Sequence, residues 1–235
     1  MPARPAVTGY NRAMRISLPS GTPAELALPD GTAVRGVVVI PDIFGLRPLF
    51  DGLVARLARE QSWAVAAIEP FPGQELASVD DRFGAVPHLV DSAVVGDAVA
   101  AAAELRKRSG ATRVGVLGFC MGGMYTYKAS GSGAFDRAVS FYGMIRIPVA
   151  WRGAGQGEPL QALTEPQACP LLAIVGGKDP YTPGDDVAAL EATGPNIRVV
   201  TFPEADHGFV HDPDRPAHRP ADAEAAWSQA VAFLS

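Results

Sequence analysis

Residues 114–123 read Val-Gly-Val-Leu-Gly-Phe-Cys-Met-Gly-Gly, and this stretch decides the fold. Val114 to Gly118 is a short apolar run, the pattern of a buried strand. A helix is predicted to begin near Met121, which leaves Cys120 on the turn between Gly118 and Gly122. A strand that enters a helix through G-x-nucleophile-x-G holds the central side chain on a tight bend, where small neighbours let the two elements approach. The helix start also aims amide N–H groups and a positive dipole end at the sulfur. That favours thiolate and can cradle an oxyanion. Taken alone, the same residues fit a structural cysteine in a glycine-rich turn at least as well.

Outward from this turn, β-branched runs alternate with helical patterns, the sign of an α/β chain. Strands are predicted over 12–18, 23–28, 34–40, 63–68, 114–118, 138–142, 171–175 and 197–202. Helical spacing covers 48–61 and 91–108, with further helices expected over 184–192 and 222–234. The continuous run Val37-Val38-Val39-Ile40 suits a strand covered on both faces. Asp30-Gly31 reads as a hairpin turn. Residues 147–169 carry Pro148, Gly153, Gly155, Gly157, Pro159 and Pro166, and are expected to form an irregular rim or lid. With no linker or repeat in view, the expectation is one domain over 1–235: a doubly wound, mostly parallel sheet with helices on both faces.

Composition removes several classes of function. The chain has 235 residues, 48% hydrophobic, and a net charge of −5, which fits a folded domain and not a disordered one. An acidic chain without a polybasic run is a poor partner for nucleic acid. No stretch reaches the roughly 18 apolar residues of a membrane helix, and Met1 to Tyr10 lacks the apolar core of a secretory signal. Two cysteines, Cys120 and Cys169, are too few for a disulfide framework. A reducing, cytoplasmic setting is the expectation, with the protein a monomer or homodimer. Cys169, before Pro170 and a strand, reads as packing.

Two further residues answer Cys120. The strand over 171–175 runs into Gly176-Gly177-Lys178-Asp179, and the strand over 197–202 into Asp206-His207-Gly208-Phe209. In an open parallel sheet both loops lie at the edge where ligands bind. Cysteine, acid and histidine then follow in the chain order of this kind of site. His207 takes the thiol proton, and Asp179 orients the imidazole. With an ordinary histidine, activity rises through about pH 6.5. His207 and His211 stand one helical turn apart, but no third metal ligand with matching spacing appears, so neither metal nor cofactor is expected.

These residues resemble the dienelactone hydrolase (carboxymethylenebutenolidase) family, cysteine-using members of the α/β-hydrolase superfamily. The resemblance runs from about residue 34 to the C-terminus. It rests on Ile40-Pro41-Asp42-Ile43-Phe44-Gly45, Gly118-Phe119-Cys120-Met121-Gly122-Gly123, Phe141-Tyr142-Gly143, Gly176-Gly177-Lys178-Asp179 and Asp206-His207-Gly208-Phe209. It implies an α/β-hydrolase fold, a triad of Cys120, Asp179 and His207, and an oxyanion hole from the amides of Ile43 and Met121. It also implies a small ester or enol-lactone as substrate. Where the family holds a glutamate against the resting thiol, this chain has Asp42, shorter in reach by about 1.5 Å. Where the family places an arginine for the substrate carboxylate, this chain has His211, which lacks a guanidinium fork. Arg82, Tyr142 and His211 are the substrate-binding candidates the resemblance offers, with Arg146 or Arg215 as replacements. A general carboxylesterase or thioesterase, or a non-catalytic binding or redox-sensing protein on the same scaffold, are the competing readings.

Overall fold

The computed structural model describes residues 13–235; Asn11 and Arg12 and the N-terminal stretch before them, including the start of the first predicted strand, lie outside the described residues. Eight strands form one sheet in the order β1-β2-β4-β3-β5-β6-β7-β8. The strands are β1 (Met14–Ser17), β2 (Pro23–Ala27), β3 (Arg35–Ile40), β4 (Trp63–Ile68), β5 (Val114–Phe119), β6 (Ala138–Phe141), β7 (Leu171–Gly176) and β8 (Ile197–Phe202). The first two pairings, β1 with β2 and β2 with β4, are antiparallel; the rest are parallel. This is the α/β arrangement the sequence predicts. The parallel strands β3, β4, β5, β6 and β7 are buried along their whole length, which is why they read as unbroken apolar runs.

Among the described residues there are seven α-helices: α1 (Pro48–Gln61), α2 (Val79–Ala85), α3 (Asp91–Ser109), α4 (Met121–Ser130), α5 (Pro159–Ala162), α6 (Gly184–Glu191) and α7 (Pro220–Leu234), with α5 packed on α4. α3 stops at Gly110, whose φ of 72° is open to glycine without steric penalty. No single helix among the described residues is long and apolar enough to cross a membrane.

Two details depart from the sequence reading. Asp30-Gly31 does not close a hairpin: β2 pairs with β4, and the hairpin is β1–β2, closed around Gly21 at φ 90°. Turn chemistry marks a bend but not the strand that will pair after it. The unpredicted helix α2 follows Ser78, whose side chain and that of Asp81 cap each other's backbone amides.

Because β3 has β4 on one side and β5 on the other, the chain leaves it in opposite directions. Such a switch point opens a crevice beyond the strand ends. The loops after β3, β5, β7 and β8 carry Asp42, Cys120, Asp179 and His207.

Candidate active site

Cys120 occupies the turn between β5 and α4 with φ 56° and ψ −119°, a strained conformation for a non-glycine residue. The turn is held by its own backbone, with the Cys120 amide donating to Phe141 and the Met124 amide to the Cys120 carbonyl, each at 3.0 Å. The glycines are compelled by contact. A Cβ on Gly118 would stand 2.2 Å from the Gly122 carbonyl oxygen, and one on Gly122 would stand 2.1 Å from that of Ile40. Met121 is the first residue of α4, so its amide has no acceptor within the helix. The Ile43 amide likewise donates to no group among the described residues.

Asp179 and His207 meet as expected. His207 Nδ1 lies 2.8 Å from Asp179 Oδ2, and Asp179 Oδ1 accepts the Tyr181 amide at 2.8 Å. The carboxylate can only accept, so Nδ1 carries a proton and Nε2 is the free end of the ring. Nε2 is buried and makes no hydrogen bond among the described residues. The ring meets Tyr142 and Tyr181 edge-on at 5.2 and 4.9 Å. Burial works against the charged imidazolium, but the bond to Asp179 and the interaction with Cys120 outweigh it, raising His207 to about 10. An acid limb near pH 6.5 is therefore not what this geometry predicts.

Asp42 lines the same cavity as Cys120 but is fully engaged elsewhere. Its Oδ1 accepts from the Phe44 amide at 3.0 Å and from Arg47 Nη1 at 2.6 Å; its Oδ2 accepts from Arg47 Nη2 at 2.9 Å and from His211 Nε2 at 2.8 Å. Burial opposes ionisation here too, yet the bonds from His211 and Arg47 hold the carboxyl down at about 2. His211 is buried, stacked on Phe119 at 4.7 Å, and its Nδ1 lies 2.5 Å from the Tyr142 hydroxyl. Burial, reinforced by Arg47 and Arg215, keeps His211 below its ordinary value and so neutral. Nε2–H then donates to Asp42, and Nδ1 accepts from Tyr142.

A cavity of about 170 Å³ opens onto Cys120 and His207. Its wall is aromatic and apolar, with Phe44, Phe83, Met144, Trp151 and Tyr181, while Asp42 and Arg215 supply the charge. The expected substrate contacts are redistributed. His211 and Tyr142 bind each other behind the cavity, and Arg82 donates to the Ile43 carbonyl at 3.1 Å and lies over Phe44. Arg146 pairs with Asp186 on α6. Arg215 alone of these candidates lines the cavity, and its guanidinium has no ion pair among the described residues. Arg47 was absent from the sequence reading; its neighbourhood to Asp42, five positions away, was the available signal. The segment 147–169 contributes Trp151, which contacts Phe83, and is fastened by Gly157 N–H donating to Asp91 at 2.8 Å. Asp91 also holds Lys128 of α4 at 2.7 Å.

His207 and His211 are committed to different carboxylates, and no cluster of three potential metal ligands occurs among the described residues. Both cysteines are free, and burial pushes Cys169 up to about 12.

The profile of the dienelactone hydrolase family matches residues 22–235, spanning every element of this site. The chain belongs to the dienelactone hydrolase family. It is 29% identical over 222 residues to a protein of Bradyrhizobium sp named "Probable 2-oxo-3-(5-oxofuran-2-ylidene)propanoate lactonase", covering 90% of this chain and 88% of that one. It is also 29% identical over 208 residues to an Escherichia coli K12 protein provisionally named a carboxymethylenebutenolidase, with 84% and 75% covered. Among solved structures, one from Klebsiella pneumoniae, provisionally named a dienelactone hydrolase, superposes with a TM-score of 0.82 at 26% identity, covering 94% and 97% of the two chains. A dienelactone hydrolase-like promiscuous phosphotriesterase from metagenomic libraries shares the fold, with a TM-score of 0.75, 19% identity and 94% and 96% covered.

Proposed function

We propose that this family member hydrolyses small carboxylic esters or enol-lactones through an acyl-enzyme on Cys120. The observation that carries the reading is the junction of three loops on one cavity. Cys120 is held in a strained turn, and His207 presents an open Nε2 with its other nitrogen fixed by Asp179.

The steps follow from the donors present. Sγ attacks the carbonyl carbon as thiolate, its proton residing on His207 Nε2. The carbonyl oxygen gathers negative charge against the amides of Ile43 and Met121, neither of which has another acceptor. His207 returns the proton to the departing alkoxide or enolate, and the thioester remains on Cys120. Water then attacks with His207 as base, releasing the acid and restoring the thiol. Asp179 stays ionised throughout and holds the ring's tautomer.

The cavity holds only a small molecule, and its aromatic wall suits a flat, conjugated one. Arg215 gives it a guanidinium with no protein partner, so a substrate carboxylate is read by Arg215 and not by His211. A thiol nucleophile works in a reducing compartment, which supports a cytoplasmic location.

The test is turnover of p-nitrophenyl acetate and of a dienelactone by wild type, Cys120→Ala and Arg215→Met. The expected result is loss of both activities in Cys120→Ala, and in Arg215→Met a raised KM for the carboxylated lactone alone. Turnover that survives Cys120→Ala removes the thiol from the mechanism. Equal effects of Arg215→Met on the KM of both substrates would favour a general carboxylesterase; a common change in kcat is what loss of a positive charge facing Cys120 brings.

A further inference from the structure

The buried cluster behind Cys120 does no chemistry on a substrate, yet it decides what charge the sulfur meets. We infer that Arg47 and His211, by tying down both oxygens of Asp42, let the Cys120 thiol ionise against His207 in the free enzyme, before any substrate binds. This deepens the proposed function, since it rests on Cys120 being the nucleophile and specifies how that nucleophile is kept ready.

The first ground is occupancy. Asp42 faces the same cavity as Cys120, and a carboxylate with a free oxygen there would accept the thiol proton's hydrogen bond and oppose a thiolate. All four bonds to Asp42 are already taken: Phe44 N–H and Arg47 Nη1 on one oxygen, Arg47 Nη2 and His211 Nε2 on the other. Arg47 grips both oxygens and is itself laid over Phe44 and Phe50, at 5.4 and 4.9 Å from the ring centroids. Such a fork is fixed in geometry as well as charge.

The second ground is the balance of charge around the sulfur. Asp42, Asp179 and Asp212 bring negative charge; Arg47, Arg215 and a protonated His207 bring positive. Arg47 cancels Asp42, and Asp212 lies 3.8 Å from the same guanidinium. His211 is neutral, and the Tyr142 phenol, pushed well up by burial, carries no charge at neutral pH. What favours a thiolate is then His207, Arg215 across the cavity and the N-terminus of α4, against Asp179 behind the ring and Asp212 beyond Arg47.

The third ground is proton direction. Because Nε2 of His211 donates to Asp42, its Nδ1 must accept, and the Tyr142 hydroxyl spends its proton there. Tyr142 therefore has no proton to lend the sulfur. Among the described residues facing the sulfur, His207 Nε2 is the group with an empty site for the thiol proton. Transfer from Sγ to Nε2 moves a proton between neighbours and changes no net charge.

Arg47 and His211 are thus positioning residues, and their effect is read from the thiol itself. The ultraviolet absorbance of thiolate, titrated in substrate-free enzyme and corrected with Cys120→Ala, reports Cys120; Cys169 stays protonated, being pushed up to about 12. Wild type is expected to show its thiolate midpoint below the ~8.5 of a free cysteine. Arg47→Met leaves Asp42 charged and uncompensated, so the midpoint should rise by about one unit or more. Adding Asp42→Asn to Arg47→Met removes that charge and should restore the low midpoint, which a merely disturbed fold would not do. A wild-type midpoint near ~8.5 with turnover still dependent on Cys120 overturns the inference and leaves the proposed function standing. A raised midpoint that Asp42→Asn does not restore also overturns it. A low midpoint together with turnover that survives Cys120→Ala supports the ionisation and sinks the proposed function instead.

Discussion

Gly122→Ala tests the architecture of the nucleophile turn most directly. The new Cβ would lie 2.1 Å from the Ile40 carbonyl oxygen and 2.3 Å from that of Pro41. Carbon and oxygen in contact settle at about 3.3 Å or more, so the turn must move by roughly 1.2 Å. Both obstacles are backbone, so no side chain can swing aside. Nor can α4 retreat, because Gly123 on the next position is pressed against Gly143, where an added Cβ would stand 2.7 Å from Cα. The displacement therefore separates the β3 loop, which carries Ile43, from α4, which carries Met121. An oxyanion donor works within about 2.7–3.1 Å, and losing one costs about 10²–10³ in kcat. The strain itself should cost about 3 kcal/mol or more, read as a lowered Tm. Gly96→Ala in the exposed middle of α3, where a Cβ meets nothing within 4 Å, is the control and should stabilise by up to about 1 kcal/mol. The assay is kcat and KM on p-nitrophenyl acetate beside thermal unfolding of both variants. A Gly122→Ala protein with wild-type Tm and kcat within about twofold would refute the steric account of the turn.

The other predictions concern charge. Asp179→Asn replaces the acceptor of His207 Nδ1–H with a group that can turn its NH₂ toward the ring, so kcat should fall by about 10³–10⁴ at any pH near neutrality; a loss under tenfold would mean the tautomer is held otherwise. Asp42 ionises at about 2 against an ordinary 3.8, so the stability from its ion pair is complete above about pH 4 and is lost as pH falls toward 2, in total ~2 kcal/mol. Urea unfolding at about pH 6 and pH 3 should show that part of the acid loss in wild type and not in Asp42→Asn; equal losses would contradict it. Asp91→Ala strands the Lys128 ammonium, whose side chain is only 4% exposed, and should cost ~3 kcal/mol, with faster proteolysis inside 147–169; unaltered unfolding and cleavage would show that the ion pair fastens nothing.

The sheet and the three triad candidates were legible because each has a local cause. β3, β4 and β5 are apolar throughout because both their faces are covered, and Cys120, Asp179 and His207 each follow a strand at its ligand-binding end. What the sequence left open depends on distant partners. Asp42 reads as a carboxylate of shortened reach toward the sulfur, and its engagement by Arg47 and His211 shows only in the structure. His211 stands where the family keeps an arginine, and Arg215 enters the cavity from a turn whose course no periodicity reveals. α2 is polar, with only Ala85 buried, so no apolar stripe announced it; the Ser78–Asp81 cap was its one local mark.

The bond from His211 to Asp42 joins residues near opposite ends of the chain, and the base of the thiol also comes late in the sequence. During synthesis Cys120 therefore emerges before the groups that would arm it. Under the proposed mechanism the sulfur meets its base only once the segment holding His207 and His211 has docked, after the rest of the sheet is made. In that proposal, completion of the fold and activation of the sulfur are a single event.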